Sequence, residues 1–251
     1  MPIPQVIAHR GSSALNPDNS WSAFEAARAE GADAIECDVQ ATRDGVLVVR
    51  HDFALGDRLV RDLDVGELDA AAGGVVRLTD LLDWVESTSL GLLVEVKEPQ
   101  ATEAVAAMSL ASRACERIVV GGFHGPALAA AKAGRGALRT SFMIGSVMAA
   151  EDIARAGDAY RVDGVHLCWE RRAARPHRLV DADLFARLRR SRLAITLWHE
   201  ERPDELAALV ALEPDAICTN TPAVLRRIVD AHRARGAAIT RNPEVAPNLQ
   251  P

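Results

Sequence analysis

Two carboxylates, Glu36 and Asp38, stand two residues apart in the otherwise apolar run Ile35-Glu36-Cys37-Asp38-Val39. If this run is a β-strand, alternate side chains share a face, so the carboxylates point one way and Ile35, Cys37 and Val39 the other. Packed together away from water, two carboxylates repel and need a cation or a proton between them. Ordinary ion pairs at a strand end would satisfy the same pattern. The run Leu93-Val94-Glu95-Val96-Lys97 repeats it, with Glu95 and Lys97 on one face and Val94 and Val96 on the other. Glu36, Asp38 and Glu95 form an all-oxygen donor set for one hard divalent cation, Mg²⁺ or Ca²⁺, with Mn²⁺ also admissible. Lys97 can hold a phosphate as a point charge. The plain alternative is a buried Glu95–Lys97 ion pair without a catalytic role, which leaves the Glu36–Asp38 pair unexplained.

Two histidines complete the set. His9 ends the run Ala8-His9-Arg10-Gly11, and His51 ends Val49-Arg50-His51-Asp52. A single histidine at a strand end is commonly a hydrogen-bonded loop residue. Two at the same end as three carboxylates point to proton transfer, because imidazole titrates near neutrality and one ring can accept a proton while the other donates.

The elements that would position these residues follow from hydrophobic periodicity. Strands are expected at residues 6–9, 34–40, 92–97, 118–123, 138–144, 164–169, 193–198 and 216–220. The short run 46–51 forms a hairpin with the second strand through the Asp44-Gly45 turn. Amphipathic helices fit between the strands. One spans 20–30, with Trp21, Phe24, Ala27 and Ala29 on its inner face and Gly31 stopping it. Pro126, Pro203 and Pro222 each mark a first helical turn. About eight strands alternating evenly with about eight helices predict a parallel sheet closed as one (β/α)8 TIM barrel over residues 1–236. In such a barrel the C-terminal strand ends carry the active site. Residues 54–76 have little periodicity and read as a short insertion after the second strand. Residues 237–251 read as a disordered tail.

Composition narrows the possible partners. The chain has 251 residues, 49% hydrophobic and 25% charged, and can bury a core without disulfides. A net charge of -6 supplies no broad basic surface for nucleic acid or an anionic membrane. Cys37, Cys115, Cys168 and Cys218 lack metal-site or redox spacing and read as reduced core residues. No apolar run is long enough to cross a bilayer, and the N-terminus lacks a secretory pattern, so a cytoplasmic location is expected. The oligomeric state is not legible.

Taken together, His9-Arg10-Gly11, Asn16-Pro17-Asp18-Asn19-Ser20, Phe24, Gly31-Ala32-Asp33, Glu36-x-Asp38-Val39, Thr42-x-Asp44-Gly45 and His51-Asp52 resemble the N-terminal signature of the glycerophosphodiester phosphodiesterases. Glu95-x-Lys97 resembles their next strand, and Trp198, Pro203 and Asp215 to Pro222 the closing strands. The resemblance implies a (β/α)8 barrel with a divalent ion on Glu36, Asp38 and Glu95. It also implies an acid–base pair of His9 and His51 and a phosphate contact from Arg10. Trp198 would wall the substrate site, and the substrate would be a small glycerophosphodiester. It further suggests attack by the substrate's neighbouring hydroxyl, giving a cyclic phosphodiester that water opens. Which histidine performs which step stays open.

The chain also departs from that family. Asp18 and Ser20 replace Glu and Thr, His199-Glu200-Glu201 replaces Thr-Val-Asn after Trp198, and the segment after His51 is short. These changes predict an open mouth with an acidic rim near Trp198, favouring a cationic alcohol such as choline. His124, Glu170 and His199 each follow a strand and either touch substrate or are simply polar loop residues; His166 reads as structural. The Arg171-Arg172 and Arg189-Arg190 pairs read as solvated. Two other functions fit the same residues: a lyase of the phospholipase D toxin type that stops at the cyclic phosphate, and a noncatalytic phosphodiester-binding protein.

Overall fold

A computed structural model describes residues 3–241, with side-chain environments through Arg235. Eight parallel strands form the barrel: β1 (Gln5–Ala8), β2 (Ala34–Ala41), β3 (Gly91–Val96), β4 (Ile118–Gly122), β5 (Arg139–Ile144), β6 (Gly164–Leu167), β7 (Ala194–Leu197) and β8 (Ala216–Thr219). Each pairs with the next, and β1 pairs with both β8 and β2, closing the ring. The fold is therefore the (β/α)8 barrel expected from the alternation.

Strand parity divides the apolar residues into two populations. Val6, Ala8, Ile35, Cys37, Val39 and Val94 face outward and pack with helix residues such as Phe24, Leu81 and Leu225. Ile7, Ala34, Leu93, Met143, Trp198, Ala216 and Cys218 form a smaller cluster inside the ring. The inward positions above Ala34 and Leu93 on β2 and β3 belong to Glu36, Asp38 and Glu95, and Asp38 lies beside Glu95 in the strand register. All four cysteines are free, and Cys37 and Cys218 are buried.

The hairpin after β2 is present. Leu47–Val49 runs antiparallel to the end of β2, and Val76–Arg77 pairs with it in turn. The intervening segment is more ordered than its weak periodicity suggests. It contains the two-residue strands Ala54–Leu55 and Arg58–Leu59 and the helix Val65–Ala72. That helix starts at a reciprocal Asp64–Glu67 capping box and stops at Gly73 in the left-handed conformation. Leu68 anchors it to Val48, Val60 and Leu63. The signal was the Asp-x-x-Glu spacing rather than periodicity, because one short turn-rich helix buries too little to show a stripe.

Other boundaries shift in instructive ways. The first helix is Trp21–Ala29, capped by Ser20, but its buried residues are Ala23, Phe24 and Ala27. Trp21 is exposed at the mouth rather than inward. The last helix runs Pro222–Arg241, past the expected barrel boundary at 236 and into the region expected to be a disordered tail; residues 242–251 of that expected tail lie outside the described residues. No described helix is long and apolar enough to cross a membrane.

Candidate active site

Glu36, Asp38 and Glu95 meet inside the C-terminal end of the barrel. Each offers one oxygen within 4.8 Å of the others. Glu36 and Asp38 have no exposed surface, and Glu95 retains 4%. Glu36 Oε2 accepts a hydrogen bond from the Arg10 N–H at 3.0 Å, while Oε1 has no partner. Asp38 Oδ2 accepts from Asn19 Nδ2 at 2.8 Å. Asp38 Oδ1 lies 3.3 Å from Lys97 Nζ but lacks hydrogen-bond alignment with any group. Glu95 Oε1 accepts from Lys97 Nζ at 2.9 Å.

The charges are incompletely balanced. Burial drives the Glu36 carboxyl well above its usual range, and Asp38 and Glu95 drive it further. Burial and Asp38 likewise raise Glu95, against the pull of Lys97. Burial opposes charge on Lys97, but Glu95 and Asp38 outweigh it and hold the ammonium above its usual value. Arg10 behaves similarly: Asp38, Asp18 and Glu36 overcome its burial. Two cations thus face three carboxylates, and two carboxylate oxygens remain unsatisfied. An all-oxygen, net-negative cluster with unfilled acceptors fits a hard divalent cation.

The loop after β1 is shaped for this cluster. Arg10 adopts a left-handed conformation at φ 57°, which costs a non-glycine residue on the order of 1 kcal/mol. The conformation brings its N–H to Glu36, while its side chain reaches Asp38 (Nε–Oδ2 3.1 Å) and Asp18 (Nη1–Oδ2 3.0 Å). Gly11 follows at φ 84°, and a Cβ there would come within 2.6 Å of Ala23. Asp18, the shortened residue of the sequence comparison, is thus an anchor for Arg10. Asn19 both donates to the Asp38 carboxylate and accepts from the Asp38 N–H at 3.2 Å.

His9 is 5% exposed and faces the same cluster, with Nε2 4.0 Å from Glu36 Oε2. Its Nδ1 lies 2.7 Å from Asn220 Oδ1, at the end of β8. With that oxygen as acceptor, the proton resides on Nδ1 and Nε2 presents a lone pair. Burial pushes the His9 pKa well below its usual value, with help from His199 and Arg10. The ring stacks on His199 (centroids 4.5 Å apart, 16° between planes) and meets Trp198 edge-on at 5.4 Å. His51 sits at the rim, with Nδ1 2.9 Å from Asp52 Oδ1. Gln40 Nε2 donates to the carbonyls of Arg50, His51 and Asp52, fixing the loop that carries this second histidine.

Asn220, Asn19 and Gln40 were not identified as positioning groups from the sequence. Asn220 comes from the opposite end of the chain, and only barrel closure brings it to His9. Replacing Asn220 with alanine should lower kcat about 10–100-fold with little change in KM, because the ring loses its tautomer and orientation but not its substrate contacts. Steady-state kinetics on one glycerophosphodiester would measure the split; an effect confined to KM would contradict this role.

The acidic-rim expectation is corrected. Glu200 is buried and paired with Arg202 at 2.6 Å, and Glu201 Oε1 is 2.9 Å from His199 Nδ1 and accepts from the Asn220 N–H. Glu200 is thus neutralised, whereas Glu201, its side chain 37% exposed, stays at the rim with a histidine as partner. Trp198 is 8% exposed, its ring between His9 and His166, so it backs the histidine rather than offering a broad face to solvent. His124 caps its own helix through Ala127 N–H. His166 lies within the lower barrel, and burial lowers its pKa to about 3. A cavity of about 550 Å³ borders the site, lined by Asp18, Asn19, Trp21 and His51. Another of about 520 Å³ opens at the N-terminal end of the barrel, away from the carboxylates.

The unbalanced carboxylates predict a stability effect. Because the folded-state pKa of Glu36 is raised above the ordinary 4.5, its unfavourable contribution is absent in acid and grows as pH rises toward the raised value. In chelator at pH 8, Glu36→Gln should therefore be more stable than wild type by on the order of 1 kcal/mol, or ~2–4 °C in Tm. The difference should shrink below pH 4. Thermal melts across pH would check it, and a variant less stable than wild type at pH 8 in chelator would contradict it.

Residues 9–224 match the family model described as the glycerophosphoryl diester phosphodiesterase family. A probable glycerophosphodiester phosphodiesterase 1 of Mycobacterium tuberculosis is 55% identical over 52 residues, 21% of this chain and 19% of that protein. The chain thus spans about a fifth of that curated relative's length. A putative glycerophosphodiester phosphodiesterase from Galdieria sulphuraria superposes with a TM-score of 0.77 at 20% identity, covering 91% of this chain and 98% of the other. An Oleispira antarctica phosphodiesterase, solved in complex with the product sn-glycerol-3-phosphate, gives 0.74 at 19% identity over 91% and 97% of the two chains. At these identities the two structures bear on the fold.

Proposed function

Because the chain belongs to the glycerophosphoryl diester phosphodiesterase family, we propose that it hydrolyses glycerophosphodiesters to glycerol phosphate and an alcohol, using one divalent cation and the His9–His51 pair. The observation that carries this reading is the buried Glu36–Asp38–Glu95 cluster, with two unfilled carboxylate oxygens beside a neutral histidine. Glu36, Asp38 and Glu95 would hold the cation, which when bound would offset negative charge on the nonbridging phosphate oxygens.

The chain's own groups supply the rest. Arg10 and Lys97 contribute positive charge at the phosphate, where it matters most as the transition state forms. His9 Nε2 takes the proton from the attacking hydroxyl, since its Nδ1 proton is committed to Asn220. His51, with Asp52 behind Nδ1, carries the proton given to the departing alkoxide. The attacker is the neighbouring glycerol hydroxyl, and water then opens the cyclic diester. Trp198 closes the site behind His9 and excludes water from that side. The proposed occupant is a small-molecule diester.

A panel of glycerophosphodiesters differing in alcohol, assayed with and without Mg²⁺, Mn²⁺ and Ca²⁺, tests this reading. Release of glycerol phosphate that depends on one of these ions is expected. A product series that ends at the cyclic phosphate would favour the lyase, and tight binding without turnover would favour a noncatalytic binding protein. With Glu200 and Glu201 both engaged, preference for choline over an anionic alcohol should be small, within about threefold in kcat/KM at moderate salt. A preference beyond tenfold would mean that Glu201 releases His199 when substrate binds.

A further inference from the structure

The interior of a (β/α)8 barrel is ordinarily filled by layers of bulky side chains. At the N-terminal end of this barrel many inward positions are small instead: Ala34 on β2, Gly91 on β3, Gly164 on β6, Ala194 on β7 and Ala216 on β8. They leave the cavity of about 520 Å³ open at that end. Small residues alone make only a hole, but two polar side chains face this one. His166 and Ser141 are each 3% exposed, and neither His166 Nδ1 nor Ser141 Oγ has a hydrogen-bond partner among the described residues. Gly164 keeps their corner open, because a Cβ there would stand 3.3 Å from Ser141 Oγ. Buried polar atoms without a protein partner are uncommon and call for an occupant.

The cavity has two unlike walls. Ile7 on β1, Leu93 on β3 and Val119 on β4 make one side apolar. Ser141 on β5, His166 on β6 and Thr196 on β7 make the other polar, with Thr196 beside His166 in the strand register. Burial lowers the His166 pKa to about 3, so the ring is neutral. A neutral imidazole and a hydroxyl can each pair with a donor or an acceptor, according to tautomer and rotamer. The charged residues that line the cavity all stand at its rim, at or just before the strand starts, and most are committed there. Asp33, Asp163 and Asp215 accept from the N–H groups of Val6, Thr140 and Ile195 at 2.7, 2.7 and 2.8 Å. Arg117 and Arg139 donate to the carbonyls of Leu90 and Glu116. An ion drawn to the inner end would leave water without a counter-charge beside it.

We propose that this cavity is a second ligand site, taking an uncharged small molecule with an apolar body and a hydroxyl or amide end. The polar end meets His166 Nδ1 and Ser141 Oγ, and the body lies against Ile7, Leu93 and Val119. The volume falls in the range of small-molecule sites, roughly 300–1,000 Å³, and the few convergent polar groups on a largely apolar lining match their usual make-up. The site opens at the end of the barrel opposite the carboxylates and stands apart from the diesterase reading.

Benzyl alcohol, ethylbenzene, benzoate and benzylammonium share one ring and differ in what it carries. Each is titrated at neutral pH into the isotope-labelled full chain and followed by residue-resolved NMR. Benzyl alcohol is expected to shift the His166 ring and the Ile7, Leu93 and Val119 methyl signals saturably, leave the His51 ring signals in place, and bind at least about fivefold more tightly than the other three. Ser141→Ala should weaken benzyl alcohol by about threefold to tenfold, the loss of one neutral hydrogen bond, and leave ethylbenzene unchanged. No saturable shift up to the solubility of benzyl alcohol would show a cavity that holds only water and overturn the site. Shifts confined to His51 and Trp21 would place the probe at the opposite mouth and overturn it too. Ethylbenzene bound as tightly as the alcohol, an ionic probe bound more tightly, or an unchanged affinity in Ser141→Ala would each overturn the assigned chemistry.

Discussion

Replacing His9 or His51 with alanine is expected to reduce kcat by about 10²–10⁴ on an alkyl glycerophosphodiester, the usual effect of losing a positioned acid or base. Each loss should be nearly as large as that of the double variant, because the two rings serve one proton-transfer sequence. Their environments predict how the variants differ. His9 is buried, neutral and hydrogen-bonded through Nδ1, whereas His51 is at the rim with a carboxylate behind it. A p-nitrophenyl diester needs little help with its leaving group. It should therefore restore the His51→Ala variant by at least about tenfold relative to the alkyl substrate and restore His9→Ala far less. Rescue of His9→Ala instead would reverse the assignment, and near-normal rates for both variants on the alkyl diester would remove the histidines from the mechanism.

The carboxylates should be as sensitive. Glu36→Gln, Asp38→Asn and Glu95→Gln each remove one negative donor while preserving shape, and each should weaken divalent-ion binding and lower turnover by about 10²–10³. Asp38→Asn should be the most damaging, because Asp38 also holds Arg10, Asn19 and Lys97. Calorimetric titration of Mg²⁺ or Mn²⁺ separates lost binding from lost folding, and circular dichroism checks that the barrel persists. Binding should also release protons, since burial and the neighbouring carboxylates hold Glu36 well above its usual range before the ion arrives. Wild-type affinity in all three variants would show that these carboxylates are not the ligands.

Much of this site was legible because a strand has a period of two. Once Ile35 to Val39 and Leu93 to Lys97 are read as strands, Glu36, Asp38, Glu95 and Lys97 must share the face opposite Val39, Val94 and Val96, and the structure puts them together. Loop geometry obeys no such rule. Nothing in His199-Glu200-Glu201 reveals that Arg202 neutralises Glu200 or that Glu201 turns to His199. Trp198 looked like a platform because its type suits one, but its burial depends on the rings of His9 and His166. Asn220 and His9 are 211 residues apart, a separation bridged only by closure of β8 against β1. The helix Val65–Ala72 was hidden for a different reason: it is held by caps and one buried leucine rather than by an amphipathic stripe.

The central claim is that Glu36, Asp38 and Glu95 hold a cation required for hydrolysis of a glycerophosphodiester. The most direct measurement is ³¹P NMR of glycerophosphocholine incubated with protein stripped of divalent ions, before and after Mg²⁺, Mn²⁺ or Ca²⁺ is restored. The account predicts no turnover by the stripped protein and conversion to glycerol phosphate when one of these ions is returned, with Asp38→Asn converting at least about 10²-fold more slowly. Undiminished conversion by the exhaustively stripped protein would contradict it.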